Sequence, residues 1–116
     1  MKIHLESQGF ETTQAIKEHV QRQLNLNLAN FDSHIVSVDV FLRDVNGPKG
    51  GVDMKTLVCI QLNTRQSVKV ESTRSDLYAS IVIATRQAKR AVRRSLSKHR
   101  RMEKLALRHM RQFPQF

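Results

Sequence analysis

Residues 67–96 read SVKVESTRSDLYASIVIATRQAKRAVRRSL, and the periodicity changes part-way along this stretch. Ser67-Val68-Lys69-Val70-Glu71 alternates polar and apolar residues, the pattern of a strand with one buried face. From Leu77 onward the spacing becomes helical: Leu77, Ile81, Ala84, Ala88, Ala91 and Val92 fall on one stripe. No Gly or Pro interrupts the chain from Ser75 to Phe113, and Pro114 supplies a stop. Thr73, with Asp76 three residues later, fits a capping box. A helix from residue 74 to about 111 is therefore expected, longer than a small domain is wide.

Upstream of this stretch the pattern is that of strands. Residues 54–63 place Val58, Ile60 and Leu62 inward, with Leu57 and Cys59 on the other face, which suggests cover on both sides at one end. Thr64-Arg65-Gln66 forms a turn to the strand at 67–71. Residues 35–45 alternate, with Val36, Val38, Val40 and Leu42 pointing one way. Between these strands, Asn46-Gly47-Pro48-Lys49-Gly50-Gly51 reads as a loop. Ile3 and Leu5 mark a short first strand over 2–7, ended by Gly9. Thr12 and Thr13 then offer caps for a helix carrying Ile16, Val20, Leu24, Leu28 and Phe31 on one side, broken at Asp32 and Ser33. The order is β-α-β-β-β-α, an α+β class, with strands two to four as an antiparallel meander.

Charge narrows the possible partners. Up to residue 74, nine Lys and Arg face eight acids; from residue 75 on, eleven face only Asp76 and Glu103. Nearly all of the net charge of +10 sits on the last helix. At about 100° per residue, Arg86, Lys89, Arg90, Arg93, Arg100, Arg101, Lys104, Arg108 and Arg111 lie within roughly 60° of the direction opposite the apolar stripe. A solvated helix face normally mixes signs and gains from Glu–Lys pairs four apart. Like charges crowded at i, i+3, i+4 and i+7 point instead to a polyanion partner. Arg predominates, and Arg grips phosphate bidentately. Past Leu96 the apolar stripe weakens. The chain thus divides into an α+β domain at 1–96 and a basic extension at 97–116, in which Met110, Phe113 and Phe116 offer apolar grip.

Other features point away from catalysis. His4, His19, His34, His99 and His109 are scattered, with no metal-ligand spacing. Cys59 is alone, so no disulfide or thiolate cluster can form, and it reads as a small core residue in a reducing cytoplasm. Asp39, Asp44 and Asp53 are a conceivable nuclease set, explained more cheaply as strand-face and turn acids. The Gly-rich loop lacks the P-loop spacing. Tyr78 reads as core-edge packing, with base stacking as the alternative. The N-terminus has no apolar leader, and no run approaches the ~20 apolar residues of a membrane span. No enzyme activity, metal, cofactor, small-molecule substrate or membrane partner is expected.

Three stretches together resemble the ribosome hibernation promoting factor family, also called protein Y or ribosome-associated inhibitor A. They are Asp44–Asp53 leading to Cys59-Ile60, then Ser75-Asp76-Leu77-Tyr78-Ala79-Ser80-Ile81, and Arg90 followed by Val92-Arg93-Arg94. The resemblance covers about residues 1–100 and implies two helices on one face of a four-stranded sheet, like a double-stranded-RNA-binding domain. It also implies a cytoplasmic, non-enzymatic translation inhibitor, monomeric off the ribosome. Such a protein binds 16S rRNA of the 30S subunit, or of the 70S ribosome, in the mRNA and tRNA channel of resting or stressed cells. The RNA-binding set it implies is Arg86, Lys89, Arg90, Arg93, Arg94, Arg100, Arg101 and Lys104, helped by Lys17 and Arg22. Val82, Arg86 and Lys89 depart from the family pattern, making this helix the more basic. The chain reads as a short member without the extra domain that long members use to pair ribosomes. The family's older label implies the alternative of a sigma-factor modulator that binds an acidic protein.

Overall fold

The computed structural model describes residues 1–45 and 53–112. The elements are β1 (Lys2–Gln8), α1 (Gln14–Leu28), a 3-10 segment (Ala29–His34), β2 (Ile35–Asp44), β3 (Met54–Leu62), β4 (Ser67–Arg74) and α2 (Leu77–Gln112). The strands form one sheet in the order β1-β2-β3-β4. β2, β3 and β4 are the expected antiparallel meander. β1 pairs parallel with β2, from Lys2 opposite Ser37 to Gln8 opposite Arg43. A parallel pair needs a crossover, and α1 supplies it. Gly9 ends β1 at φ +90°, a conformation that costs Gly little, with Asp44 close by.

Both helices pack on one face of the sheet, and a single core lies between the layers. Its members include Val20, Leu24 and Leu28 of α1, Val40 and Leu42 of β2, Val58 and Ile60 of β3, and Ile81, Ala84, Ala88 and Val92 of α2. Full burial of each Leu, Ile or Val contributes about 1.5–3 kcal/mol. Thr13 caps α1, its hydroxyl accepting from the Ile16 amide at 3.2 Å. Polar groups tie the helices and sheet together inside the core. The Asn27 amide donates to Thr85 Oγ1 at 3.2 Å, joining α1 to α2. Ser80 Oγ donates to the Ser72 carbonyl at 2.9 Å and lies 2.9 Å from Thr56 Oγ1, joining α2 to β4 and β3. These bonds satisfy groups that would otherwise be costly to bury.

Several sequence expectations are corrected. Val36 does not point inward; it is 52% exposed, and an irregularity between Ile35 and Ser37 turns Ile35 into the core instead. β4 runs on to Arg74, pairing Thr73 with Lys55, so Thr73 caps nothing. α2 begins at Leu77, and Asp76 is its cap, accepting from the Ala79 amide at 3.3 Å. The ladder to β3 satisfies the Thr73 backbone better than an extra helical turn could. Phe31 falls in the 3-10 segment and packs only partly against the core. Leu57 and Cys59 are half-buried on the helix-free face, which no described element covers, so Cys59 is not a core residue. Tyr78 is 40% exposed, its ring edge-on to His19 at 4.7 Å. The loop expected at Asn46–Gly51, and Phe113, Pro114 and Phe116, lie outside the described residues.

Candidate nucleic-acid interface

α2 builds the site because its two sides face different surroundings. The buried side carries Ile81, Ala84, Ala88, Val92 and Leu96, all at 6% exposure or less. Ala at positions 84 and 88 lets the helix approach its neighbours closely. The 36-residue helix then holds the opposite side in solvent. Arg86, Arg90, Arg93, Arg100, Arg101, Lys104 and Arg108 are exposed there, and Lys89 is half-buried at the edge of the packed face. At a rise of 1.5 Å per residue, Arg86 and Arg108 are about 33 Å apart along the axis. The side chain of Arg111 lies outside the described residues.

The electrostatics of this side are set by missing partners. Among the described residues, the ion pairs are Met1–Asp32, His4–Glu6, Lys55–Glu71 and His99–Glu103. None uses a Lys or Arg of α2. Glu103, one of only two acids from residue 75 on, lies 3.0 Å from His99 and makes no ion pair with a Lys or Arg of the row. Adjacent unpaired cations on one helix repel one another, and a bound polyanion relieves that repulsion.

The other expected residues are not all brought together. Arg22 is exposed on the flank of α1 that carries His19, whose Nε2 lies 3.3 Å from the Tyr78 carbonyl at the start of α2. Lys17 instead borders a small cavity with Ile3 and Leu5 of β1, away from α2. Arg94 is exposed on the flank of α2 rather than in the main row. Lys98, absent from the expected set, lines the same depression as Arg94. The signal for it was the spacing of four from Arg94. Beyond Leu96 the described side chains are mostly exposed, including Met102, Leu105 and Met110 at 56–59%.

The remaining candidates do not form a site. Among the described residues no three His, Cys, Asp or Glu are grouped to hold a metal ion, so Asp39, Asp44 and Asp53 do not converge as a nuclease would need. A depression of about 510 Å³ on the sheet is lined by Glu6, Phe41, Arg43, Lys55 and Leu57, of mixed sign. No described helix is long and apolar enough to cross a membrane.

Comparison with known proteins bears on the same helix. The family model for sigma 54 modulation protein / S30EA ribosomal protein matches residues 3–100. The chain belongs to this family. The match takes in the sheet, α1 and α2 through Arg100, and bears out the resemblance to the hibernation-factor family. Among solved structures, the chain is similar to the Thermus thermophilus Protein Y N-terminal domain. That match has 26% identity and a TM-score of 0.65, and covers 81% of this chain and 98% of the other. A ribosomal subunit interface protein from Coxiella burnetii is 15% identical with a TM-score of 0.69, over 86% of this chain and 98% of the other, and shares the fold. No curated protein sequence matches. The S30EA family assignment thus rests on the family model and on the Protein Y structure.

Proposed function

We propose that the chain is a ribosome-associated translation inhibitor that lays the cationic side of α2 on small-subunit rRNA in the mRNA and tRNA channel. The observation that carries this reading is the row of Arg and Lys with no acidic partner, held outward by a helix whose other side is the core. Phosphates supply the missing acceptors, and counterion release supplies much of the affinity. Family membership and the resemblance to Protein Y favour rRNA over other polyanions. In this reading residues 1–96 dock, 97–116 extend the contact, and no catalytic step is involved. The protein acts in the cytoplasm of resting or stressed cells and is monomeric until it meets the 30S subunit or 70S ribosome.

Sedimentation of purified protein with ribosomes at low salt tests it: co-migration with 30S and 70S particles is expected. The Arg90→Glu, Arg93→Glu variant should stay folded and stay at the top of the gradient. Undiminished co-migration of that variant would refute the assigned side. The family's other printed description, sigma 54 modulation, favours an acidic protein partner as the second reading. Association that survives nuclease treatment would support it.

A further inference from the structure

We propose a second anion site on α2, in the depression between the β3–β4 turn and the helix flank, which holds an RNA backbone phosphate apart from those gripped by the main row. It rests on the RNA-binding reading above. The depression measures about 380 Å³ and is lined by Gln66, Ser67, Ala91, Arg94, Ser95 and Lys98. Its lining includes two cations and no carboxylate.

The hydrogen bonding inside the depression leaves donors rather than acceptors. Ser95 Oγ donates to Gln66 Oε1 at 2.6 Å, which uses the amide oxygen and leaves the Gln66 NH₂ group to donate. Among the described residues that NH₂ has no acceptor, and neither Arg94 nor Lys98 has an ion-pair partner. The platform is held in place. The Leu62 amide donates to the Gln66 carbonyl at 2.9 Å, closing the turn around Arg65 at φ 69°. Arg94 and Lys98 are one helical turn apart, so both reach the same group. An Arg, a Lys and an amide, all donating towards one open space, suit the oxygens of a phosphate.

The location makes this a separate contact. By helical geometry Arg94 points roughly 20–40° beyond Arg101 and Arg90, at the margin of the main row, and Lys98 points about 60° beyond Arg101, towards the sheet. A strand laid along the centre of the main row leaves the Lys98 and Gln66 side of this margin free for a different phosphate. The depression is shallow and open, so a free anion there keeps most of its hydration and its attraction is screened. A phosphate already tethered by the rest of a bound RNA arrives at high effective concentration, and this favours the backbone over a free anion.

The test uses the full chain and 30S subunits, with affinity followed between about 50 and 200 mM salt and rRNA protection mapped by hydroxyl radicals. The Arg94→Gln, Lys98→Gln variant should lower the magnitude of the log–log salt slope by about one, the loss of one phosphate contact. It should stay bound, lose one patch of protection and keep the rest of the footprint. Gln66→Glu should show the same loss, because a carboxylate repels phosphate. All three positions border solvent, and an unchanged melting transition checks folding. An unchanged slope and footprint, with binding still lost on Arg90→Glu, Arg93→Glu, overturns the second site and leaves the RNA reading standing. Full affinity in both variants overturns both. Loss of the whole footprint by Arg94→Gln, Lys98→Gln, as in Arg90→Glu, Arg93→Glu, overturns the separateness of the sites. Saturable binding of inorganic phosphate to the free protein, removed by Arg94→Gln, Lys98→Gln, would reassign the depression to a free anion.

Discussion

Asp76, Val36 and Asn27 show how single residues take roles that neighbours in sequence seemed equally fit to take. Asp76 accepts from the Ala79 amide and satisfies one of the otherwise unpaired donors at the start of α2. Asp76→Ala should therefore cost about 0.5–2 kcal/mol in urea unfolding. Thr73→Ala should cost less, since the Thr73 side chain sits exposed on a strand. Equal losses would restore the capping box. Val36 is exposed beside the buried Ile35. Val36→Ser should change stability by no more than about 0.5 kcal/mol, whereas Ile35→Ala should cost about 2–5 kcal/mol. The reverse order would place the strand in the other register. Alternation placed Val38, Val40 and Leu42 inward as found, but not Val36, because the irregularity between Ile35 and Ser37 inverts the side chains that precede it. Asn27 was invisible to pattern reading: a polar residue on the apolar side of α1 makes sense only when Thr85, fifty-eight positions away, lies opposite.

At the scale of elements, α2 carries two tasks along its length. Through Leu96 it is a wall of the core, and beyond Leu96 its side chains are mostly solvated. Amide hydrogen exchange should divide accordingly: amides around Ile81–Val92 should exchange only with global unfolding, and those after residue 97 should exchange far faster. Deletion of residues 97–116 should leave stability within about 0.5 kcal/mol. It should also weaken ribosome binding and flatten its salt dependence, because it removes six of the eleven cations found from residue 75 on. A large loss of stability would mean that the extension packs on the domain. The thinning of the apolar stripe to Ser95, His99 and Ala106 was legible, and such a stripe cannot bury much surface. The start of the helix was misplaced by three residues, because β4 competes for the same segment and its ladder to β3 depends on a partner strand.

At the scale of the molecule, charge is segregated. Its principal extents are 67 × 25 × 18 Å, and the excess positive charge lies along the elongated helix rather than over the sheet. This arrangement aligns the protein on an anionic surface before contact and accelerates encounter. Affinity for 30S subunits should fall steeply and linearly on a log–log scale as salt rises. A salt-independent affinity would mean that the cationic side is not the contact.

The sequence by itself determined the class, the element order and the cationic row. Each of these follows from local periodicity, and a helix places residues three and four apart on one side wherever it is put. Only the tertiary structure decided that β1 lies parallel at the sheet edge, that Ile35 rather than Val36 enters the core, and that Lys17 stands apart from α2. It alone brought Gln66 to Ser95 across twenty-nine residues to form the depression beside Arg94 and Lys98. The reason is the same in each case: these outcomes depend on which surfaces meet, and packing between distant segments leaves no period in the chain.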